Sequence, residues 1–271
     1  MHVKKIMAVC LLGLLAGAIP GAVGAAAAAT DLLDSVKARG TLRVALEGTY
    51  PPFNFKDKKT GELAGFDVEF ARALADRLGV KVEFVATEWV GILAGLQVGK
   101  YDAIVSEVTM TPKREAEFDF SQPYTYSTAQ LILRKDDKSE YRDFASLKGK
   151  TVGVGQGSSY AETLNAVGGI NVKTYVSAPL NLQDLANGRI DAALNDRLLV
   201  PYMMQEAKLP LRAAAAIGEA QKQGIPFKKN NPKFKAAIDA AIADMIRDGS
   251  YVRMSRKWFG LDASRPPAQA R

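Results

Sequence analysis

The residues best suited to chemistry crowd into two short stretches: Asp102 to Tyr124, DAIVSEVTMTPKREAEFDFSQPY, and Asn187 to Arg197, NGRIDAALNDR. The first carries Ser106, Glu107, Thr109 and Arg114 beyond the end of a predicted strand, Ala103 to Val105. The second carries Asn195 and Asp196 beyond a strand ending at Leu194. In open α/β sheets the region outside the carboxyl ends of strands is where ligands bind. Arg114 offers a planar fork that can pair both oxygens of a carboxylate, which lysine cannot do. Asp196 offers the counter-charge for an ammonium. Together these groups would hold both charged ends of a free amino acid. Simpler accounts compete: an Arg in a Pro-Lys-Arg-Glu turn is commonly solvated, and an Asp followed by Arg197 commonly pairs with it at the surface.

Other groups converge on the same edge. Gly155-Gln156-Gly157-Ser158-Ser159 follows one predicted strand and opens a helix, so the backbone N–H groups of Ser158 and Ser159 face whatever sits above the helix start, as at an anion site. Ser before a helix also serves as a plain N-cap. Tyr50, in Tyr-Pro-Pro-Phe past the first strand, and Trp89, at the start of a helix, are placed to wall a pocket beside Arg114, or to act as core. No catalytic set is visible. These loops pair no carboxylates except Glu107 with Asp196, and Gly153-x-Gly155-x-Gly157 lacks the spacing and downstream acid of a dinucleotide site.

The chain begins Met1-His2-Val3-Lys4-Lys5, then runs apolar from Ile6 to Ile19 and small from Gly24 to Ala29. A basic start, an apolar stretch too short to span a bilayer and Ala-x-Ala sites mark residues 1–29 as a secretory signal peptide, hence an expected periplasmic location. The only histidine, His2, and the only cysteine, Cys10, leave with it. The remaining chain then has no His-based acid–base chemistry, no Cys nucleophile, no disulfide and no ordinary zinc site. No cofactor is expected. The formal net charge of +7 is mild, and no Lys/Arg run is interleaved with aromatics, so nucleic acid is not an expected partner.

The elements that must position these groups alternate. A leader helix spans Leu32 to Arg39, Gly40 stops it, and Leu42 to Leu46 is an apolar strand. Asp67 to Leu78 has apolar residues at helical spacing, with Asp67 as cap and Gly79 as stop. Val80 to Phe84 reads as a strand, Glu88 to Val98 as a helix, Ala103 to Val105 as a buried strand. The rhythm restarts with strand Thr151 to Val154, helix Ser159 to Val167, strand Val172 to Tyr175, helix Leu180 to Ala186 and strand Asp191 to Leu194. This is an α/β fold. The two halves echo each other: Leu96 to Ala103 and Leu185 to Ala192 share a helix end, a Gly stop, a basic residue, then Asp-Ala opening a strand. Breaks are expected at Leu131 to Lys150, where a strand-like LILRK runs into a charged tract, Asp136 to Arg142, and near Ile217 to Pro226, before a strand-like Ile225 to Lys228. A long helix, Pro232 to Asp248, and an amphipathic segment ending at Trp258-Phe259 follow.

Taken in order, GTLRVALEGTYPPFNF, GFDVEFARALADRLG, the stretch to Arg114, DFSQPY, LKGKTVGVGQGSSY, NGRIDAALNDR and DGSYVRMSRKWFG resemble the periplasmic solute-binding proteins, family 3, of bacterial polar amino-acid ABC importers. The resemblance covers about Thr41 to Leu261. It implies the two-lobed type II periplasmic-binding-protein fold, with two hinge-connected lobes closing on a ligand. Lobe 1 would hold residues 41–127 and 222–262, lobe 2 residues 128–221, and residues 263–271 a disordered tail. By position, Arg114 would take the ligand carboxylate with the backbone at Ser158 and Ser159. Asp196 with Ser106 and Thr109 would take the ammonium, and Tyr50 and Trp89 would sandwich the side chain.

LEGTYPPFNF, VTMTPKRE and VGVGQGSSY look most like the cystine-binding branch, which often has Gln where this chain has Glu107. A Glu107 carboxylate pointing inward would favour an amine-rich ligand, and one facing solvent would leave its backbone carbonyl to bind. The resemblance implies an inner-membrane ABC permease as partner, and a monomer is expected. Two other readings are a periplasmic cyclohexadienyl or arogenate dehydratase on the same fold, and an adhesin or sensor accessory using the lobes as a protein interface.

Overall fold

The computed structural model describes residues 30–267, so the expected leader, residues 1–29, and residues 268–271 lie outside the described residues. In chain order the elements are α1 (Leu32–Arg39), β1 (Thr41–Leu46), β2 (Thr49–Tyr50), β3 (Asn54–Lys56), β4 (Leu63–Ala64), α2 (Phe66–Arg77), β5 (Lys81–Ala86), α3 (Trp89–Gln97) and β6 (Ala103–Ile104). There follow α4 (Pro112–Glu117), β7 (Asp119–Phe120), β8 (Thr125–Arg134), β9 (Thr151–Gly155), α5 (Ser159–Val167), β10 (Asn171–Tyr175), α6 (Ala178–Ala186) and β11 (Ala192–Asp196). Last come α7 (Val200–Ala207), β12 (Leu211–Gln223), β13 (Pro226–Phe227), α8 (Pro232–Arg247) and α9 (Ser250–Phe259).

Two five-stranded sheets carry the two lobes, in the orders β5-β1-β6-β13-β7 and β10-β9-β11-β8-β12. In the first, β1 is parallel to β5 and β6, and β13 is antiparallel to β6. In the second, β9 is parallel to β10 and β11, and β8 is antiparallel to β11. The echo between the halves has a matching cause in each sheet. Asp102 accepts the Arg43 N–H at the start of β1 at 2.8 Å, and Asp191 accepts the Thr151 N–H at the start of β9 at 2.7 Å. Each Asp thus satisfies a strand-end donor that the parallel ladder leaves open.

The expected helices and the parallel strands form at nearly the expected residues, because an apolar face at period 3.6 or a short apolar run has one way to be buried. The differences lie in the antiparallel strands. The strand-like LILRK that opens the expected break at Leu131 to Lys150 forms the end of β8, which runs to Arg134 with Leu131 to Leu133 buried. The expected break near Ile217 is absent, since β12 runs on to Gln223, with two register irregularities against β8. LRAAAAIGEAQKQ has little strand character, and its backbone ladder to β8 supplies what its side chains do not. The helix α7 was not anticipated. Ala263, expected to open a disordered tail, is instead buried: its N–H donates to Ser255 Oγ at 2.9 Å and its C=O accepts from Tyr126 N–H.

Asp67 does not cap α2. The cap position is Gly65, with φ +121°, and Asp67 is fully buried, facing Asn54 and Tyr124. A Cβ at residue 65 would lie 2.2 Å from the Phe53 carbonyl oxygen, a backbone atom that cannot swing aside. Gly65→Ala is therefore expected to cost about 3 kcal/mol or more, from overpacking together with a left-handed φ that L side chains resist. A chemical denaturation midpoint equal to the parent's would contradict this.

Candidate functional site

The cleft between the lobes is walled by the ends of strands from both sheets and by the starts of α3, α5 and α6. Among its lining residues are Tyr50, Trp89, Ser106, Glu107, Ser158, Ser159 and Asp196. Thr109 and Arg114 are not in the lining; they stand one contact behind it. Ser159 Oγ donates to Thr109 Oγ1 at 3.2 Å, and the Arg114 guanidinium lies 5.5 Å from the Trp89 ring centre. The structure thus gathers every candidate of the sequence reading around one cavity, from positions as far apart as Tyr50 and Asp196.

Arg114 lies on α4, whose cap is Thr111: its hydroxyl oxygen accepts the Arg114 N–H, and Pro112 opens the helix. Its side chain is buried, so the solvated-turn account is set aside. The guanidinium donates to the Thr109 carbonyl at 2.9 Å and, across the cleft, to the Gly157 carbonyl at 3.3 Å. Burial holds its pKa below the ordinary arginine value, partly offset by Glu162. A guanidinium bonded only to neutral carbonyls keeps its full positive charge unneutralised and has N–H donors left over, so an anion is its natural further partner.

Asp196 ends β11 and is 3 % exposed, which sets aside the surface pair with Arg197. No ion pair joins the two among the described residues. Its carboxylate accepts from Ser127 Oγ at 2.6 Å, from Leu198 N–H at 2.8 Å and from Tyr160 Oη at 3.2 Å. Burial pushes its pKa above the ordinary aspartate value, against the pull of those donors. An anion held by neutral donors in a cleft is a seat for a cation.

The remaining candidates shape the walls. Tyr50 stacks on Phe53 with ring centres 5.0 Å apart and donates through Oη to Asn195 Oδ1 at 3.0 Å, a bond between the lobes. Ser106 Oγ accepts from Asn54 Nδ2 at 3.2 Å and from Glu47 N–H at 3.3 Å, tying the end of β6 to that of β1. Ser158 proves to be both things expected of it: its Oγ caps α5 by accepting the Ala161 N–H at 3.2 Å, and it lines the cleft beside the helix start. Glu107 has φ +51°, an uncommon conformation for a non-glycine residue, and its carboxyl is buried rather than solvated.

Sequence reasoning missed several lining residues: Glu47, Gln156, Tyr160, Tyr175, Ser177, Asn181 and, as a lining residue, Asn195. Position after a strand would have flagged Glu47 and Ser177, which follow β1 and β10, as it did the stretch that contains Gln156 after β9. Tyr160 and Asn181 carry no such signal, because each sits one turn or less inside a helix and faces the cleft through packing alone.

A cleft between two α/β lobes, with a buried unneutralised guanidinium beside it and a buried carboxylate in its wall, defines a binding protein for a small charged solute. The chain belongs to the bacterial extracellular solute-binding proteins, family 3, whose profile matches residues 42–261. As a member of that family it is a binding protein and not an enzyme. It is 40% identical over 257 residues to the L-cystine-binding protein TcyJ of Escherichia coli K12, covering 94% of this chain and 96% of that one. The L-cystine-binding protein TcyA of Bacillus subtilis is 36% identical, with 87% of each covered. Among solved structures, the ancestral amino acid-binding protein AncCDT-1, a precursor of cyclohexadienyl dehydratase, is similar at TM-score 0.77 and 33% identity, covering 84% of this chain and 99% of that one.

Proposed function

We propose that the protein is the extracytoplasmic receptor of an amino-acid ABC importer, which binds a polar L-amino acid, L-cystine in the first instance, and delivers it to an inner-membrane permease. The observation that carries this is the pairing of opposite charges around one cleft: Arg114 with spare donors behind Trp89, and Asp196 with neutral partners in the wall. The ligand carboxylate would draw on Arg114 and on the backbone N–H groups at the start of α5, whose positive dipole end favours an anion. The ammonium would meet Asp196, with Ser106, Glu107 and Thr109 near it, and the side chain would lie between Tyr50 and Trp89. The choice of cystine is supported by the names of TcyJ and TcyA.

Lobe 1 is assigned residues 41–127 and 222–262 and lobe 2 residues 128–221, a division supported by which strands share a sheet. The two crossings then fall where β8 and β12 pair at Ser127 and Gln221. A periplasmic location is supported by the family description and by the leader-like residues 1–29; no described helix is long and apolar enough to cross a membrane.

The test is a thermal-shift screen of refolded protein against all amino acids and cystine. A ligand at about 1,000 times its Kd should add about 4 kcal/mol of stability. A large shift with L-cystine is expected. A flat screen, or turnover of prephenate or arogenate followed by absorbance, would overturn the receptor reading.

A further inference from the structure

Glu107 borders the cleft, yet half of its carboxyl has no ordinary partner. Thr125 Oγ1 donates to Oε1 at 2.8 Å, while Oε2 is buried and receives no N–H or O–H donor. A buried carboxylate oxygen without a donor loses its hydration uncompensated, and charged groups tolerate that least. What lies against this carboxyl is a second acid. Asp67, fully buried at the start of α2, acts on the Glu107 carboxyl with its charge, and is itself held by Asn54 Nδ2 at 2.7 Å and Tyr124 Oη at 3.0 Å. The same Tyr124 Oη accepts the Glu107 N–H at 2.9 Å, so one phenol fixes both acids. Two carboxyl groups hydrogen-bond to each other only when one carries a proton.

The groups facing Glu107 offer no substitute for that proton. Asp67 comes from α2, Tyr124 and Thr125 from the entry to β8, Asp196 from β11, Tyr50 from β2, Tyr160 from α5 and Tyr251 from α9. The charges that act on Glu107 most, those of Asp67 and Asp196, are both negative. The charge of Arg197 acts on Asp196. Among the described residues no group of three or more His, Cys, Asp or Glu side chains could hold a metal ion.

We propose that Glu107 and Asp67 share a single proton, Glu107 Oε2–H donating to Asp67, so that residue 107 meets the cleft as an uncharged carboxyl. On the amino-acid reading above, Asp196 rather than Glu107 then meets the ligand's ammonium with a charge, and Glu107 sets specificity by withholding its own. A glutamine would present nearly the same shape and the same donor to Asp67. The ionisation behaviour agrees with the geometry: burial, then Asp67 and Asp196, push the Glu107 carboxyl well above 4.5, and burial lifts Asp67 from 3.8 to about 6. Because both pKa values are raised by folding, the stability they contribute is full below the ordinary carboxylate range. It is lost as pH rises through the folded values.

Infrared spectroscopy of the empty protein in D2O, wild type against Glu107→Gln, tests this together with a thermal-unfolding series from about pH 5 to about pH 8. The wild type is expected to show the C=O stretch of a protonated carboxyl near neutral pH, and Glu107→Gln to lack it. The wild-type Tm should fall with rising pH, and the variant's should fall less. No such stretch in the wild type, its persistence in Glu107→Gln, or parallel Tm profiles would overturn the proposal. The wild-type spectrum is decisive even where the variant folds poorly. Neither readout involves a ligand, so its failure stays distinct from failure of the amino-acid reading.

Discussion

Replacing Arg114 with alanine should abolish most amino-acid affinity, by about 3 kcal/mol or more and so roughly a hundredfold or more in Kd, while the protein stays folded. The loss is large because the ligand carboxylate would be buried without its cationic partner, which costs more than losing the same contact in water. The fold survives because α4 does not depend on the side chain: Thr111 caps the helix through the Arg114 backbone, and Pro112 opens it. The guanidinium's own bonds go to the carbonyls of Thr109 and Gly157, and the second is a bond between the lobes. Arg114→Lys should recover only part of the affinity, since an ammonium cannot pair two carboxylate oxygens side by side. Calorimetry that found the affinity of Arg114→Ala unchanged would mean that the carboxylate sits elsewhere in the cleft.

Asp196→Asn should separate binding from stability. An asparagine keeps Oδ1 to accept from Ser127 and Leu198, and its Nδ2 can donate to the Tyr160 hydroxyl, but it removes the charge that meets the ammonium, so affinity should drop by about 2 kcal/mol or more. The empty protein should be equally stable or more stable near neutral pH. Burial already holds the Asp196 pKa up, so the wild-type protein gives up stability as pH rises through that value, and the neutral residue does not. A binding site that keeps a buried charge at the expense of the empty fold is a familiar trade between stability and function. A variant that lost Tm together with affinity would instead make Asp196 a structural anchor for Ser127 and the turn at Leu198.

The parts of this protein that could be read along the chain are those governed by neighbours in sequence. Helix α1 forms over Leu32–Arg39 as expected, because Asp31 caps it and Gly40 ends it within one local pattern. The positions of Ser106 and Asp196 past strand ends follow from the same short-range logic, as does Ser158 at the start of α5. Residue type and position past predicted strands also flagged Thr109, Arg114, Ser159, Tyr50 and Trp89, and resemblance to the family added the role of each and the expectation of two lobes. Strand β12 was missed because an alanine-rich edge strand is specified by the ladder on β8, not by its own side chains.

The electrostatics of the cleft belong to contacts between residues far apart in the chain. Sequence offered Asp67 as a helix cap, Asp196 as half of a dipeptide ion pair, and Glu107 as either inward-facing or solvated. In the fold, Asp67 and Glu107 meet around Tyr124, which Tyr251 in turn holds through a hydrogen bond to its carbonyl. Composition and local pattern therefore specify the elements, the absence of His and Cys chemistry beyond residue 10, and which polar groups reach the strand ends. Whether each of those groups is charged, and what it faces, depends on burial and on partners from other elements, because the cost of a charge is set by its surroundings in three dimensions.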